Sequence, residues 1–294
     1  VLFDTKRTLE KLGDLLADAA RTGARLVVFP EAFVGGYPKG LDFGARLGMR
    51  SPEGRDDFRR YHAAAIDVPG PDTDRIGEMV ASHGVHLVIG VIERTATGTL
   101  YCTAWFFAPD GHLTAKHRKL MPTALERLVW GFGDGSTLPA PETDIGTLGA
   151  VICWENYMPQ LRLAMYAKGV EFYCAPTVDD RAVWLPSMQM IALEGRCFVL
   201  SACQHMTRAD GPGDYHPIQG DAPDTQIIRG GSCIISPLGE VLAGPVFDQD
   251  VILTAEMDKD DITRGKYDLD VVGHYARPDV FSLNVNEAAQ KLVK

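Results

Sequence analysis

Short apolar runs that alternate with amphipathic segments restrict the possible folds of this chain more than any other feature. Residues 5–20 place leucines on one face of a predicted helix, and the apolar run 24–29 that follows is typical of a buried strand. Further helices are predicted over 55–65, 73–83, 159–167 and 184–195, and further strands over 85–93, 99–108, 113–119, 171–175, 197–203, 231–235 and 251–256. Gly, Pro and charged residues predict loops at 35–54 and 207–229. This succession predicts a mixed α/β fold with more than one sheet.

Composition limits the domain count and the class of partner. The chain has 294 residues, 46% of them hydrophobic, and no repeat or linker interrupts it, so we expect one domain over 1–294. A net charge of −10, from 39 acidic and 29 basic residues, argues against a nucleic-acid partner, because affinity for phosphates comes from Lys and Arg. We see no secretory signal and no apolar run long enough to span a bilayer, and we therefore expect a cytoplasmic protein without a membrane partner.

Six cysteines are present, and none of them forms a C-x-x-C pair. A zinc ribbon or a thioredoxin-type centre is therefore not expected. Five of the six lie in apolar, strand-like runs and are predicted to be reduced core residues: Cys102, Cys174, Cys197, Cys203 and Cys233.

The segment around the sixth, Cys153, is the strongest candidate for chemistry. Small or apolar residues at 149–152 precede it, and Pro159 suits the first turn of a helix. A sharp turn between a strand and a helix displays a side chain beside backbone N–H groups that stabilise negative charge. The same residues also fit a buried cysteine that packs as a small hydrophobe. The segment alone leaves both interpretations open, because the reactivity of a thiol depends on its neighbours.

Two charged side chains stand next to predicted strands. Glu31 follows the apolar run 24–29 and a proline, and it is either a cap or a general base whose pKa is raised by partial burial. Lys119 precedes an apolar Leu-Met-Pro turn and is either solvated or drawn inward, in which case Glu31 and Glu126 are its candidate carboxylate partners. A thiol, a carboxylate and a cation suggest a nucleophile, a base and an oxyanion stabiliser, but their spacing does not assemble them.

Three segments resemble the signatures of the nitrilase superfamily, the carbon–nitrogen hydrolases. They are VFPEAF at 28–33, HRKLMPT at 117–123 and VICWEN at 151–156, in the family order Glu, Lys, Cys. The segments ERLVWGFGDGS at 126–136, CWEN at 153–156 and VGHYARPD at 272–279 are similar to the nitrilase branch, which includes the plant-type enzymes, rather than to the amidases. The resemblance covers nearly the whole chain.

The resemblance implies an α/β fold, a four-layer αββα sandwich with two central mixed sheets and helices outside. It also implies homodimers that pair across two-fold interfaces and extend into higher oligomers or helical filaments. The segment at about 260–294, and residues 270–286 in particular, is similar to segments used in that assembly. The first strand of the family is expected ahead of the helix that begins at Thr5, upstream of Val1.

The resemblance also implies the chemistry. Cys153 is the expected nucleophile, Glu31 the general base, Lys119 the group that stabilises charge, and Glu126 the second carboxylate. The Trp154 backbone N–H and Lys119 are expected to stabilise negative charge on the intermediates. A small-molecule nitrile would pass through a covalent thioimidate and a thioester to a carboxylic acid and ammonia, with no metal and no organic cofactor.

Six residues are expected in the substrate pocket by the same resemblance, although core packing is the alternative for each aromatic. They are Tyr37, Thr123, Trp130, Tyr157, Trp184 and Met188.

Four other functions stay open at this point. An amidase of the same superfamily would share Glu31, Lys119 and Cys153, and a nitrile hydratase-like activity would release the amide. A non-catalytic filament-forming protein would keep the fold, but the intact residues argue against it. A Cys–His hydrolase using His205 or His216 lacks a recognisable protease signature.

Overall fold

The elements below come from a computed structural model, which describes residues 1–291 and 293. The α-helices are α1 (Thr5–Arg21), α2 (Pro52–Ala64), α3 (Pro71–His83), α4 (Glu126–Val129), α5 (Pro159–Ala167), α6 (Trp184–Gly195) and α7 (Asp260–Gly265). The strands are β1 (Leu26–Val28), β2 (Ala45–Arg46), β3 (Met49–Arg50), β4 (Ile66–Asp67), β5 (His86–Arg94), β6 (Leu100–Phe107), β7 (Leu113–Arg118), β8 (Leu148–Ala150), β9 (Phe172–Cys174), β10 (Phe198–Ser201), β11 (His205–Thr207), β12 (Gln226–Ile235) and β13 (Val241–Phe247). Three short 3₁₀ segments cover Gly135–Thr137, Cys153–Tyr157 and Arg208–Asp210.

Three of the helices begin at residues that cap or suit a helix N-terminus. The Asp4 carboxylate accepts a hydrogen bond from the backbone N–H of Arg7 at 3.0 Å and caps α1. The Ser51 hydroxyl does the same for α2, and α5 begins with Pro159, which lacks the N–H that the first turn of a helix cannot use.

Two mixed sheets form the centre of the molecule. The first has the strand order β1-β5-β6-β7, with β4 also paired to β5, and the second has the order β11-β12-β10-β9-β8, with β13 on β12. Strands β8, β9 and β10 are parallel neighbours, whereas β5, β6 and β7 are antiparallel. Because two antiparallel steps separate β5 from β7, and β1 is parallel to β5, strands β1 and β7 run in the same direction.

Buried side chains fall into three groups that define four layers. Residues of both sheets, such as Phe106 and Leu200, pack together in the central group. A second group joins α1 and α3 to the other face of the first sheet, and a third joins α5 and α6 to the other face of the second sheet. The order helix, sheet, sheet, helix confirms the predicted four-layer α/β sandwich.

The predicted helices are confirmed within a few residues, but one predicted strand is wrong. Residues 251–256 are not a strand, and the partner of β12 is β13. The reason is local: Glu240 and Gly239 complete hydrogen bonds with Ser236, at 2.8 and 2.9 Å, so the turn closes the hairpin directly. The predicted loop at 35–54 carries the short β2–β3 hairpin, and α2 begins at its end, at Pro52. No helix in the described residues combines the length and the apolar composition needed to cross a bilayer.

Gly90, in the middle of β5, allows the chain carrying Glu31 to lie against the strand. A Cβ atom at this position would lie 2.6 Å from Ala32 N and 2.7 Å from Glu31 Cα, and it would also meet the carbonyl oxygen of Pro30. These are backbone atoms, which cannot rotate away as a side chain can.

We expect Gly90→Ala to lower the free energy of unfolding by about 1–3 kcal/mol, because the backbone at Glu31 must move to admit the methyl group. Urea denaturation measures the change. Gly213→Ala is the control, since nothing lies within 4 Å of the Cβ position there and the backbone angle is ordinary. Equal stability of the two variants would contradict the prediction.

Candidate active site

The three residues expected from the sequence meet at the ends of strands from both sheets. Glu31 follows β1 and Lys119 follows β7, at the same edge of the first sheet because these strands run in the same direction. Cys153 follows β8 of the second sheet and begins a 3₁₀ segment. The site therefore lies where the edges of the two sheets face each other.

A buried lysine lies between two carboxylates. Lys119 Nζ is 2.6 Å from Glu31 Oε1 and 2.8 Å from Glu126 Oε2, and the side chains of Lys119 and Glu31 are fully buried. The sequence left open which carboxylate pairs with Lys119; the structure shows that both do. Glu126 also accepts a hydrogen bond from the Tyr37 hydroxyl at 2.7 Å and from the Thr123 backbone N–H at 2.6 Å.

The two oxygens of Glu31 have different surroundings. Oε1 accepts from Lys119 and lies 3.6 Å from the Cys102 thiol, whereas Oε2 is buried and has no hydrogen-bond partner among the described residues. An unpaired buried oxygen is costly and is often retained for chemistry. Oε2 is therefore the oxygen suited to accept a proton.

The neighbouring charges set the protonation of this cluster. Burial by itself would lower the pKa of Lys119, but Glu31, Cys153 and Glu126 outweigh burial and raise the pKa well above its ordinary value. Burial raises the pKa of Glu31, while Lys119 acts in the opposite direction. Lys119 is thus a permanent cation, and Glu31 is a carboxylate with a raised affinity for a proton.

The backbone of Cys153 has a conformation that residues other than glycine rarely adopt. Its φ of +52° lies in the left-handed region, as do the φ angles of two alanines that follow the expected base and the second signature, Ala32 (+50°) and Ala124 (+48°). Such strain clusters at functional sites. Burial raises the pKa of the Cys153 thiol, with Glu31 adding to the rise and Lys119 opposing it, so the resting side chain is a neutral thiol that needs a base.

Trp154 follows Cys153 in the first turn of the 3₁₀ segment. The backbone N–H groups in the first turn of a helix have no acceptor within the helix, so they are free to bind another group. The Trp154 indole N–H donates to Asp179 Oδ2 at 2.8 Å, and the Arg181 guanidinium lies 4.7 Å from the ring centre. The side chain is thus fixed at the surface while the backbone N–H stays next to the sulfur.

A buried glutamate that was not predicted from the sequence connects the segments that carry Lys119 and Cys153. Glu155 Oε1 accepts from the Leu120 N–H at 2.6 Å, and Oε2 accepts from the Ile152 N–H at 2.9 Å. His117 Nε2 lies 2.9 Å from the same Oε2, and both side chains are fully buried. Burial opposes a charged imidazole, but Glu155 outweighs burial and raises the pKa of His117. The sequence feature that could have indicated this role is the position of Glu155, an acidic residue in a turn that follows a buried apolar run.

The six expected pocket residues lie in three places. Tyr37, Thr123 and Trp130 surround the charged cluster: Lys119 Nζ lies 5.3 Å from the Trp130 ring centre, which stabilises a cation. Tyr157 is partly exposed and packs edge-on against Trp154 and Trp184.

Trp184 and Met188 lie in the core between α6 and the second sheet. The Trp184 N–H donates to Ser201 Oγ at 2.9 Å, so the indole is satisfied within the protein. Trp184 packs edge-on against the exposed Tyr157, with the ring centres 6.0 Å apart.

A cavity lies away from these residues. Its volume is about 940 Å³, and β1 and the segment 249–257 contribute to its lining, which includes none of the eleven expected site residues.

In the described part of the chain, no three His, Cys, Asp or Glu side chains gather where they could hold a metal ion.

We expect Lys119→Met to lower the free energy of unfolding by about 3–5 kcal/mol at pH 8, because two buried carboxylates lose their shared cation. Without Lys119 the pKa of Glu31 rises further. The native state then keeps a proton that the unfolded chain releases above about pH 4.3, so the loss grows as pH rises and is smaller at pH 5.

Urea denaturation at pH 5 and pH 8 measures this difference. Lys116→Met is the matched control, since its partner Glu93 keeps Arg118 as a second cation. A loss for Lys119→Met that is the same at both pH values would contradict the assignment.

Comparisons with known proteins identify the family of this chain. Residues 1–267 match the carbon–nitrogen hydrolase family. A nitrilase of Bradyrhizobium diazoefficiens is 59% identical over 97% of this chain and 88% of its own length. A bifunctional nitrilase/nitrile hydratase of Nicotiana tabacum is 56% identical over 98% of this chain and 84% of its own. A carbon–nitrogen hydrolase structure from Helicobacter pylori G27 superposes with a TM-score of 0.70 at 21% identity, over 90% of this chain and 87% of the other. This chain belongs to the carbon–nitrogen hydrolase family and, within it, to the nitrilase branch.

Proposed function

We propose that this protein is a nitrilase that hydrolyses organic nitriles to a carboxylic acid and ammonia. The observation that carries the proposal is the cluster in which Lys119 lies between Glu31 and Glu126, beside the thiol of Cys153. The named activity of relatives more than 50% identical over nearly the whole chain supports the choice of nitriles as substrates.

The first half of the reaction forms a covalent thioimidate. Glu31 takes the proton of Cys153 as the sulfur adds to the nitrile carbon, and this proton passes to the nitrile nitrogen. The fixed charge of Lys119 stabilises the negative charge that develops on the substrate, and the Trp154 N–H adds to it. Glu126 holds Lys119 in place from the other side.

The second half consumes two waters. Glu31 activates the first water, which adds to the thioimidate, and the tetrahedral intermediate expels ammonia to leave a thioester. The second water hydrolyses the thioester to the acid and restores the Cys153 thiol. If the tetrahedral intermediate expels the thiol instead of ammonia, the amide is released.

Two alternatives use the same residues. An amidase would form the thioester from an amide without the thioimidate. A nitrile hydratase-like side activity would release amide from the tetrahedral intermediate, and the name of the tobacco relative, bifunctional nitrilase/nitrile hydratase, supports testing for it.

Incubation with aliphatic, aromatic and arylacetonitriles and their amides, followed by measurement of ammonia, acid and amide, tests the proposal. We expect ammonia and acid from nitriles, and a loss of at least about 10³-fold in Cys153→Ala because the nucleophile is absent. Cys197→Ala is the control, since Cys197 is a buried, free thiol in the α5–α6 core. Turnover of amides alone would make the protein an amidase, and amide as the main product would make it a hydratase.

We also propose that the chain is one domain that forms homodimers and longer assemblies, and that it works in the cytoplasm. The outer face of α5 and α6 exposes apolar side chains, among them Leu163, Met190 and Leu193, and the segment 260–294 exposes Tyr275 and Phe281. Exposed apolar groups of this kind favour association.

The state of the cysteines supports the proposed compartment. All six cysteines are free and buried, which suits a reducing compartment such as the cytoplasm.

We expect Met190→Glu to shift the mass in solution toward smaller species, because a charge on an apolar interface must lose its water on association. Light scattering after size-exclusion chromatography measures the mass. Ser82→Glu, on the exposed surface of α3 in the opposite outer layer, is the control. A monomeric wild-type protein would contradict this proposal.

A further inference from the structure

One hydroxyl contacts the sulfur of Cys153 and has no role in the proposed hydrolysis. Thr177 Oγ1 lies 3.2 Å from Cys153 Sγ, and the Thr177 side chain is completely buried. Thr177 lies three residues beyond the end of β9, in a segment that belongs to none of the three signatures.

The backbone fixes the two residues side by side. The Cys153 N–H donates to the Pro176 carbonyl at 2.9 Å, and the Thr177 N–H donates to the Ala202 carbonyl at 2.9 Å. The hydrogen-bond pattern of the parallel strands β8, β9 and β10 thus continues past their ends. The oxygen–sulfur contact therefore rests on rigid elements and not on a mobile loop.

A second contact determines the direction of the hydroxyl hydrogen. Thr177 Oγ1 accepts the backbone N–H of Asp179 at 2.9 Å, which occupies a lone pair. A threonine hydroxyl has a single hydrogen. Among the described residues, Cys153 Sγ is the acceptor within its reach.

Asp179 is itself held in place by Trp154, the residue that follows Cys153, and by Arg181. Its carboxylate accepts the indole N–H of Trp154 and is paired with Arg181. The contacts therefore form a closed ring from Cys153 to Trp154, to Asp179, to Thr177 and back to the sulfur. Burial would raise the pKa of Asp179, but Arg181 and Trp154 outweigh it and lower the pKa, so the acceptor stays charged.

We propose that Thr177 is a catalytic hydrogen-bond donor to Cys153, whose hydroxyl orients the sulfur and stabilises it as the thiolate. With the hydroxyl hydrogen on one lone pair of the sulfur, the thiol hydrogen is left to point toward Glu31. When Glu31 takes that proton, the donor from Thr177 is already in place and strengthens as the sulfur becomes negative. The inference rests on Cys153 as the nucleophile of the proposed function.

Thr177→Val tests the donor, because valine keeps the branched shape and lacks the hydroxyl, and Thr177→Ser keeps the donor and loses the methyl group. The rate of alkylation of Cys153 by iodoacetamide is measured between pH 6 and pH 9 by mass spectrometry of its peptide. Thr73→Val is the control, since Thr73 is a buried threonine on α3 that bonds to the Asp67 carbonyl.

We expect the curve of alkylation rate against pH for Thr177→Val to shift to higher pH by about one unit. At pH 7 the alkylation rate should fall by about threefold or more. The remaining thiolate is more nucleophilic, which offsets part of the loss. Thr177→Ser and Thr73→Val should follow the wild type. An unchanged curve in Thr177→Val, or an equal shift in Thr177→Ser, would overturn the inference. If Thr177→Val does not fold, Thr177→Ala provides the same comparison.

Alkylation needs no nitrile, so the two proposals fail separately. A protein that hydrolyses no nitrile but shows the shift keeps the inference and loses the proposed function. A protein that hydrolyses nitriles and shows no shift keeps the proposed function and loses the inference.

Discussion

The site depends on one buried cation. Lys119 is enclosed between two carboxylates, and moving any of these three charges out of water is costly unless the others are present. The rest of the site is arranged around this constraint: Thr123 and Tyr37 bond to Glu126, and Trp130 covers the ammonium. Two carboxylates around one ammonium leave one excess negative charge, so the cluster repels a thiolate. In the proposed reaction, the thiol proton is therefore transferred only as the substrate begins to take up charge.

The helices and most strands could be predicted from the sequence because they depend on local periodicity, whereas the four layers were implied by the family resemblance. The leucines of α1 mark the buried face of a helix, and the continuous apolar run of β5 marks a strand that is buried on both faces, whatever their partners are. The pairing of β12 with β13 was missed because both 241–247 and 251–256 are apolar, and only the closure of the turn at 236–240 decides between them.

The site divides in the same way. Glu31, Lys119, Glu126 and Cys153 could be expected from motifs, and the structure brings their side chains together. Glu155 and Thr177 were not predicted, because their roles come from contacts between segments more than twenty residues apart. A buried acidic residue in a turn has too many ordinary explanations for its sequence position to single it out. The same limit applies to Trp184 and Met188, whose apolar character fits a core as well as a pocket, and which lie in the core.

Glu155 has a consequence for how distant substitutions act on the site. Its carboxylate joins the backbone after β7 to the backbone after β8, and so it connects one sheet to the other. The separation between Glu31 and Cys153, the proposed base and nucleophile, therefore depends on how the two sheets pack throughout the sandwich. A change of volume deep between the sheets that tilts one against the other by a fraction of an ångström would alter the alignment of Glu31 and Cys153, although every residue of the site is intact. Reaction rate in such variants would report the relative position of the two sheets.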